Sequence, residues 1–339
     1  MKRLFALCLA FVLLSGCTPA STQAAPAWES TFFAMDTVMN VRIYTGGNGA
    51  LLEAAGDRVR ELEGLLSVTD GDSEICALNR DGHAALSGDT AGLLSCALEL
   101  CERTGGALDV TIYPVLRAWG FTTGEYAVPD GNTIEELLSR VDYTRVALDE
   151  AAGTAAIPVG VEVDLGSVAK GYTGDVLTGL LKAQGVESAL LDLGGNIQTI
   201  GTKPDGSLWR LGVRDPEDET GYIGVVSVSD KAVVTSGGYE RYFEQDGVRY
   251  WHILDPKTGA PARSGLLSVT VVGDSGLLCD ALSTALFVMG LDGALAHWRA
   301  YRDFEAVFVC EDGSVTVTAG LEDSFTLSQT ERTFTVARP

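Results

Sequence analysis

Histidine is nearly missing from this chain, with three residues in 339. Cysteine is sparse too: there are seven, and no two are spaced as Cys-x-x-Cys. Those shortages exclude a zinc-finger-type framework, which needs closely spaced thiolate or imidazole ligands. Cys8 and Cys17 fall in the N-terminal segment. The other five, Cys76, Cys96, Cys101, Cys279 and Cys310, are an odd number in no scaffold-like pattern, which excludes a disulfide-dense fold and leaves room for a single bridge. Cys279 lies in an apolar helical stretch and reads as core. Positive charge is also short, with 24 Lys and Arg against 46 Asp and Glu, a formal net charge of −22. A field of that sign excludes nucleic acid or anionic lipid as the main partner. Any phosphate the protein holds must therefore be met locally, by a cation, a helix end or a metal. Beyond the N-terminus the sequence offers no second apolar run of the ~20 residues that cross a bilayer. Past residue 27 it has no internal repeat, heptad run or low-complexity stretch.

What the N-terminus does have is an export signal. Lys2 and Arg3 precede the apolar run Leu4–Leu14, which is too short for a membrane span and right for a signal peptide. It ends in Leu14-Ser15-Gly16-Cys17, which resembles the bacterial lipobox, where the Cys is lipidated and becomes the first mature residue. Residues 1–16 are thus expected to be a lipoprotein signal peptide and 17–27, rich in Pro, Ser and Ala, a tether. The folded part is 28–339. Its length exceeds the usual single domain of about 100–200 residues, so one large domain or two interleaved domains are possible. The expected location is the outer face of the cytoplasmic membrane, held by lipid.

Hydrophobic periodicity predicts a mixed α/β (α+β) fold, with sheets flanked by helices. Strands are expected at Thr37–Tyr44, Glu187–Asp192, Asn196–Gly201, Trp209–Arg214, Ile223–Val228, Leu267–Val272, Phe304–Cys310 and Ser314–Ala319. Helices are expected at Ala50–Leu66, Asp89–Thr104 (capped by Asp89), Ile134–Val141, Ser275–Met289 and Asp292–Tyr301. Tyr239–Gln245 and Arg249–Leu254 read as a hairpin turning at Asp246-Gly247.

Four segments carry chemistry. In Val161–Asp175, VEVDLGSVAKGYTGD, a short strand Val161–Val163 is expected to empty into a helix capped by Ser167 and running to about Gln184. A strand that runs into a helix N-terminus gathers backbone N–H groups, a seat for phosphate. Asp164 and Ser167 add hard oxygens beside it, and Lys170 adds a cation in the first turn. Next, Leu193-Gly194-Gly195-Asn196 follows an apolar strand, and its glycines permit close approach of a flat or charged ligand. Third comes Thr235-Ser236-Gly237-Gly238-Tyr239, with His252 at the end of the following hairpin. Last, Cys279-Asp280-Ala281-Leu282-Ser283-Thr284-Ala285 sets Asp280 and Thr284 at i and i+4, so both oxygens leave one helix face. A carboxylate among so many leucines is costly unless it meets a cation. Asp with hydroxyls forms a hard-oxygen set suited to Mg²⁺.

Five stretches, DLGSVAKGYTGD, LLDLGGNIQTIG, TSGGYERYF, HILDPKTGAP and SVTVVGDSGLLCDALSTALFVMG, resemble those of the ApbE family and occur in the same order. The likeness covers roughly residues 30–320. The resemblance implies a T-fold-like ApbE architecture with FAD held between two halves. It also implies an FAD:protein FMN transferase: Mg²⁺-dependent cleavage of the FAD pyrophosphate, attachment of FMN to a Ser or Thr of an acceptor flavoprotein of a membrane or extracytoplasmic redox complex, and release of AMP. It places Met35, Thr69, Ala107, Leu108, Asp109, Asp164, Lys170 and Leu254 at the flavin nucleotide. In the family's Met-Gly-Thr segment the Gly is Asp36 here. The resemblance puts Ser167, Asp280, Ser283 and Thr284 at the metal. His252 matches the residue that assists transfer, with Asp280 the other candidate base. Two other readings share the same pocket: an FAD pyrophosphatase giving FMN and AMP, and a flavin-binding lipoprotein without catalysis. The buried Asp280/Thr284 pair speaks against the latter.

The lipobox reading predicts that Cys17→Ser leaves the precursor unprocessed or frees the protein from membranes. A variant that stays in the membrane fraction at wild-type mass contradicts it.

Overall fold

The computed structural model describes residues 25–218 and 220–339; the signal peptide, Cys17 and most of the tether lie outside the described residues. Nine strands form the main sheet and are numbered here in chain order: β1 (Trp28–Ala34), β2 (Thr37–Thr45), β3 (Ser188–Leu193), β4 (Asn196–Ile200), β5 (Ala232–Gly237), β6 (Leu266–Gly273), β7 (Glu305–Cys310), β8 (Val315–Thr318) and β9 (Phe334–Ala337). Each strand lies beside its predecessor. All neighbours are antiparallel except β8 and β9. The sheet is a meander whose connections carry the rest of the protein.

The long connection between β2 and β3 carries helices α1 (Ala50–Leu66), α2 (Glu74–Asp81), α3 (Gly88–Arg103), α4 (Tyr113–Ala118), α5 (Gly131–Leu138) and α6 (Ala169–Ala183). It also holds a small sheet of His83–Ala85, Thr154–Ala156 and Ala147–Asp149. Between β6 and β7 lies α7 (Gly276–Tyr301). Trp209–Arg214, Tyr222–Val228 and Phe325–Leu327 make a second three-stranded sheet.

The central strands are buried on both faces, which is why they read as continuous apolar runs. Val234, Val271, Ala306 and Phe308 pack under α7 with Leu282, Leu286 and Phe287. Their chain neighbours Val233, Val272, Val307 and Val309 point the other way, onto Trp209, Leu211 and Val226 of the second sheet. At the β2–β3 end, Met39, Val41 and Ile43 meet Leu52 and Val59 of α1 and Leu177 and Leu181 of α6.

Several expectations are corrected. Val161–Val163 is not a strand. The Asn79 side chain takes the place of a partner strand, accepting from Val163 N (2.6 Å) and donating to Val163 O (2.8 Å). Val161, Val163 and Leu165 can therefore fill the helical core without joining a sheet. Ser167 does not cap α6, which begins at Ala169 behind Val168 with no side-chain cap bond. The cap of α3 is Ser87, whose Oγ accepts from Thr90 N; Asp89 instead pairs with Arg58 at 2.5 Å. The two helices expected over 275–301 do form, and they meet end to end in one run with the break at Gly290 (φ 72°). By length and composition alone that run could cross a membrane, contrary to the sequence reading. It serves here as the central helix of the core, and the polar Asp280 and Ser283 are buried along with its leucines. The hairpin holds as Tyr242–Gln245 with Val248–Trp251, and Asp246 and Gly247 both take positive φ (54° and 76°) as a tight two-residue turn requires. The five cysteines outside the N-terminal segment are all free.

A close contact between two helices sets up the site. A Cβ on Gly171 of α6 would stand 2.2 Å from Gly276 O and 2.7 Å from Asp280 Cβ of α7. Replacing a helical Gly by Ala ordinarily gains about 1 kcal/mol, but here it would force the two helices apart. Asp175 of α6 closes the junction. Its carboxylate accepts from Gly276 N (2.6 Å), Leu277 N (3.0 Å) and Ser275 Oγ (2.8 Å), which satisfies the start of α7.

Candidate active site

A cavity of about 700 Å³ opens beside this junction, within the range of roughly 300–1,000 Å³ usual for small-molecule sites. α6 brings Lys170 to it from its first turn, and α7 brings Asp280 and Thr284 one turn apart. The β1–β2 turn supplies Met35 and Asp36, which both adopt positive φ (49° and 58°). Aspartate tolerates that conformation, so the turn forms without a glycine. Its side chain, rather than bare backbone, then faces the cavity. Gly194 and Gly195 (φ 69° and 88°) add a second open backbone edge.

Met35, Ala107, Leu108, Asp109, Asp164, Ser167, Lys170, His252, Leu254, Asp280 and Thr284 all line this one cavity. Thr69 and Ser283 do not. Thr69 is exposed in a turn, where its N–H donates to Ser67 Oγ at 3.1 Å. Ser283 is fully buried; its hydroxyl donates to Asp280 O (2.9 Å) and so accepts from Ser236 Oγ (2.7 Å), tying β5 to α7. Asp109 is a wall whose carboxylate is already spent: Oδ1 accepts from Thr111 N (2.8 Å) and Oγ1 (2.6 Å), and Oδ2 from Tyr143 N (3.2 Å). Asp164 Oδ1 accepts from Gly166 N at 2.8 Å.

The electrostatics follow from desolvation. Burial pushes the Asp280 carboxyl up to about 6, against the pull of Lys170 and the Gly171 N–H that Oδ2 accepts at 2.8 Å. Asp164 and Glu240 are raised for the same reason, and Lys170 opposes both shifts. His252 moves the other way, to about 4, through desolvation first and the nearby Arg241 cation second. Its N–H donates to Arg241 O at 3.1 Å, and Nδ1 lies 3.2 Å from the same oxygen. A carbonyl can only accept, so Nδ1 carries the proton and Nε2 is left as a lone pair. The imidazole is neutral and poised to accept.

Lys170, Arg214 and Arg241 line the same space, and none forms an ion pair among the described residues. Arg241 donates to Phe121 O (2.6 Å), and Arg214 lies 5.6 Å from the Tyr239 ring centre. Three unpaired cations in one cavity of so acidic a chain fit a polyanionic ligand. Among the described residues no three His, Cys, Asp or Glu side chains converge as metal ligands. One carboxylate and one hydroxyl, Asp280 and Thr284, fit a hard cation that completes its shell with carbonyls, water and ligand phosphate. Asp280, desolvated and in no ion pair, and the buried amide of Asn196 beside it, which makes no hydrogen bond of full geometry among the described residues, fit the same group.

A model of the ApbE family matches residues 35–308. The FAD:protein FMN transferase of Treponema pallidum is 37% identical over 310 residues, covering 85% of each chain. That of Vibrio cholerae is 35% identical over 297 residues, covering 84% of this chain and 87% of the other. The crystal structure of the ApbE protein of Thermotoga maritima matches with a TM-score of 0.82 at 32% identity, over 87% of this chain and 98% of that one. Flavinyl transferase ApbE of Pseudomonas stutzeri matches at 0.78 and 30%, over 88% and 96%. The chain belongs to the ApbE family. It is a transferase with the mixed α/β architecture of that family.

Sequence reasoning passed over two of the ApbE cavity's cations. Arg214 gave no signal: it is followed by Asp215, Glu217 and Asp218 and reads as a solvated charge. In the fold Asp215 is instead occupied by Gln329 and Arg332, which leaves Arg214 to the cavity. Arg241 lay inside a motif already singled out, TSGGYERYF, and the scarcity of basic residues could have marked it.

His252 and His297 both have depressed pKa values of about 4. Between the ordinary value of 6.5 and that point the unfolded chain binds more protons, so their contribution to stability is full above 6.5 and is lost as pH falls through 4. Proton NMR of the ligand-free protein, assigned with a His252→Ala variant, should show both imidazoles neutral down to pH 5. Protonation of either near pH 6.5 contradicts the environment described.

Proposed function

We propose that this protein is an Mg²⁺-dependent FAD:protein FMN transferase. The carrying observation is the convergence, on one cavity, of three unpaired cations, the Asp280/Thr284 pair and a neutral imidazole. The cations hold the pyrophosphate, and Lys170, which biases the titration of Asp164, Glu240, His252 and Asp280 alike, sits at their electrostatic centre. The apolar wall of Ile112, Leu116, Phe121 and Leu254 receives the flat rings. Asp280, Thr284 and an oxygen of Ser167 would hold Mg²⁺. When bound, it supplies charge neutralisation for the phosphate oxygens.

The acceptor is a Ser or Thr hydroxyl of a flavoprotein. Its oxygen forms a bond to the FMN phosphorus while the bond from that phosphorus to the bridging oxygen breaks. AMP departs with the bridging oxygen. The hydroxyl proton passes to Nε2 of His252, which the Arg241 carbonyl keeps in the accepting tautomer. With a pKa of about 4, that imidazole is ready at neutral pH without prior deprotonation and returns the proton to water easily.

The lipobox at Cys17 supports membrane attachment on the extracytoplasmic side, with redox-complex flavoproteins as acceptors. The segment from Cys17 to Trp28 spans at most about 40 Å when fully extended, which keeps the cavity near membrane-bound partners.

Binding and proton transfer rest on different residues, so they should separate. Lys170→Ala is expected to weaken FAD binding about tenfold or more, the scale of a charge-assisted contact. His252→Ala should bind FAD nearly as wild type does yet transfer FMN about 10²–10⁴-fold more slowly. Flavin fluorescence titration and single-turnover transfer at saturating FAD measure the two. A normal single-turnover rate for His252→Ala would remove it as the base, and unchanged FAD affinity for Lys170→Ala would remove the phosphate role.

A further inference from the structure

Asn196 opens β4 directly behind Gly194 and Gly195 and pairs across the sheet with Val234. Only 2% of its surface is exposed, yet it lines the cavity. Neither Nδ2 nor Oδ1 makes a hydrogen bond of full geometry among the described residues; the one group the amide approaches is the Asp280 carboxylate. An amide that folding strips of water on both atoms costs stability that an apolar residue would not. Beyond its approach to Asp280 the fold gives nothing back for it, so the rest of the compensation has to come from what enters the cavity.

Its surroundings say what that is. The Asn196 amide lies close enough to the Asp280 carboxylate to favour its ionised form, while Asp280 Oδ2 is already engaged by Gly171 N–H. On the other side stand the hydroxyls of Ser236 and Thr284, 3.4 Å apart. This is the hard-oxygen end of the cavity, opposite in character to the apolar wall around Phe121 and Leu254. A bare phosphate would be repelled by Asp280. A phosphate sharing a cation with it would not, and a neutral group with one donor and one acceptor can face both.

We propose that Asn196 contacts the transferring phosphoryl group, with Nδ2–H donating to a nonbridging oxygen and Oδ1 accepting from a water of the cation's shell. This inference rests on the reading of the cavity as an FAD and Mg²⁺ site. A fixed amide aimed at oxygens that gain charge in the transition state acts as an oxyanion donor does.

Asn196→Ala and the near-isosteric Asn196→Asp test it, with Mn²⁺ as a spectroscopic probe for the cation. For Asn196→Ala, single-turnover FMN transfer should fall about 10²–10³-fold. Mn²⁺ affinity of the FAD complex, read by electron paramagnetic resonance, should weaken, while FAD affinity without metal stays near wild type. Its ligand-free melting temperature should change little, because the amide makes no hydrogen bond of full geometry and only approaches Asp280. Asn196→Asp loses the donor and adds a second carboxylate: it should bind Mn²⁺ more tightly without FAD and still transfer slowly. Wild-type transfer and Mn²⁺ affinity in Asn196→Ala overturn the inference, as does a lowered melting temperature with normal transfer per folded molecule. If wild-type protein forms no AMP from FAD, the transferase reading fails; the Mn²⁺ comparison then still decides the role of Asn196.

Discussion

The site depends on one close crossing, that of α6 over the start of α7. Two glycines, Gly171 and Gly276, let the backbones touch where any Cβ would collide. Asp175 and Gln198 then fasten the contact: Asp175 takes the first N–H groups of α7, and Gln198 donates to Gly171 O at 3.1 Å. Lys170 and Asp280 are each the neighbours of these contacts, one residue before Gly171 and one turn beyond Gly276. Opposite charges from distant parts of the chain thus reach the same cavity wall without pairing directly, since Asp280 spends one oxygen on backbone N–H. A lysine–aspartate ion pair there would cancel both groups. Keeping them apart leaves one for an anion and the other for a cation.

Desolvation does the rest. The same desolvation that raises Asp280 and Asp164 lowers His252, so these acids lean toward neutrality and the imidazole stays neutral. An incoming polyanion would then meet cations that no protein carboxylate has neutralised. The chain's overall acidity does not oppose this, because exposed charges beyond a Debye length of about 8–10 Å are screened by salt, whereas the cavity's own cations are not.

Much of this was legible in the sequence where local chemistry decides the outcome. The i, i+4 pair Asp280 and Thr284, the Asp246-Gly247 turn, the apolar periodicity of α1 and the nearly unbroken apolar run of α7 each carry their own signal. Partner choice was less legible. Val161–Val163 looks like a strand because it is apolar and β-branched, but an asparagine side chain 84 residues away caps it instead. Ser167 has cap chemistry but the helix starts two residues later. Ser283 shares a helix with Asp280 and Thr284, and only the packing of β5 against α7 shows that its hydroxyl is used internally. Arg214 and the solitary amide of Asn196 emerge only when the meander brings the strands together.

The central claim is that this cavity moves FMN, phosphate included, from FAD onto a protein hydroxyl. The most direct measurement is the intact mass of an acceptor flavoprotein domain after incubation with the protein, FAD and Mg²⁺, with AMP quantified in the same mixture. The account predicts a mass gain of one FMN less one water on a Ser or Thr, one AMP released for each acceptor modified, and no gain when that residue is replaced by Ala. Free FMN and AMP beside an unmodified acceptor, or an acceptor carrying the adenine as well, would contradict it.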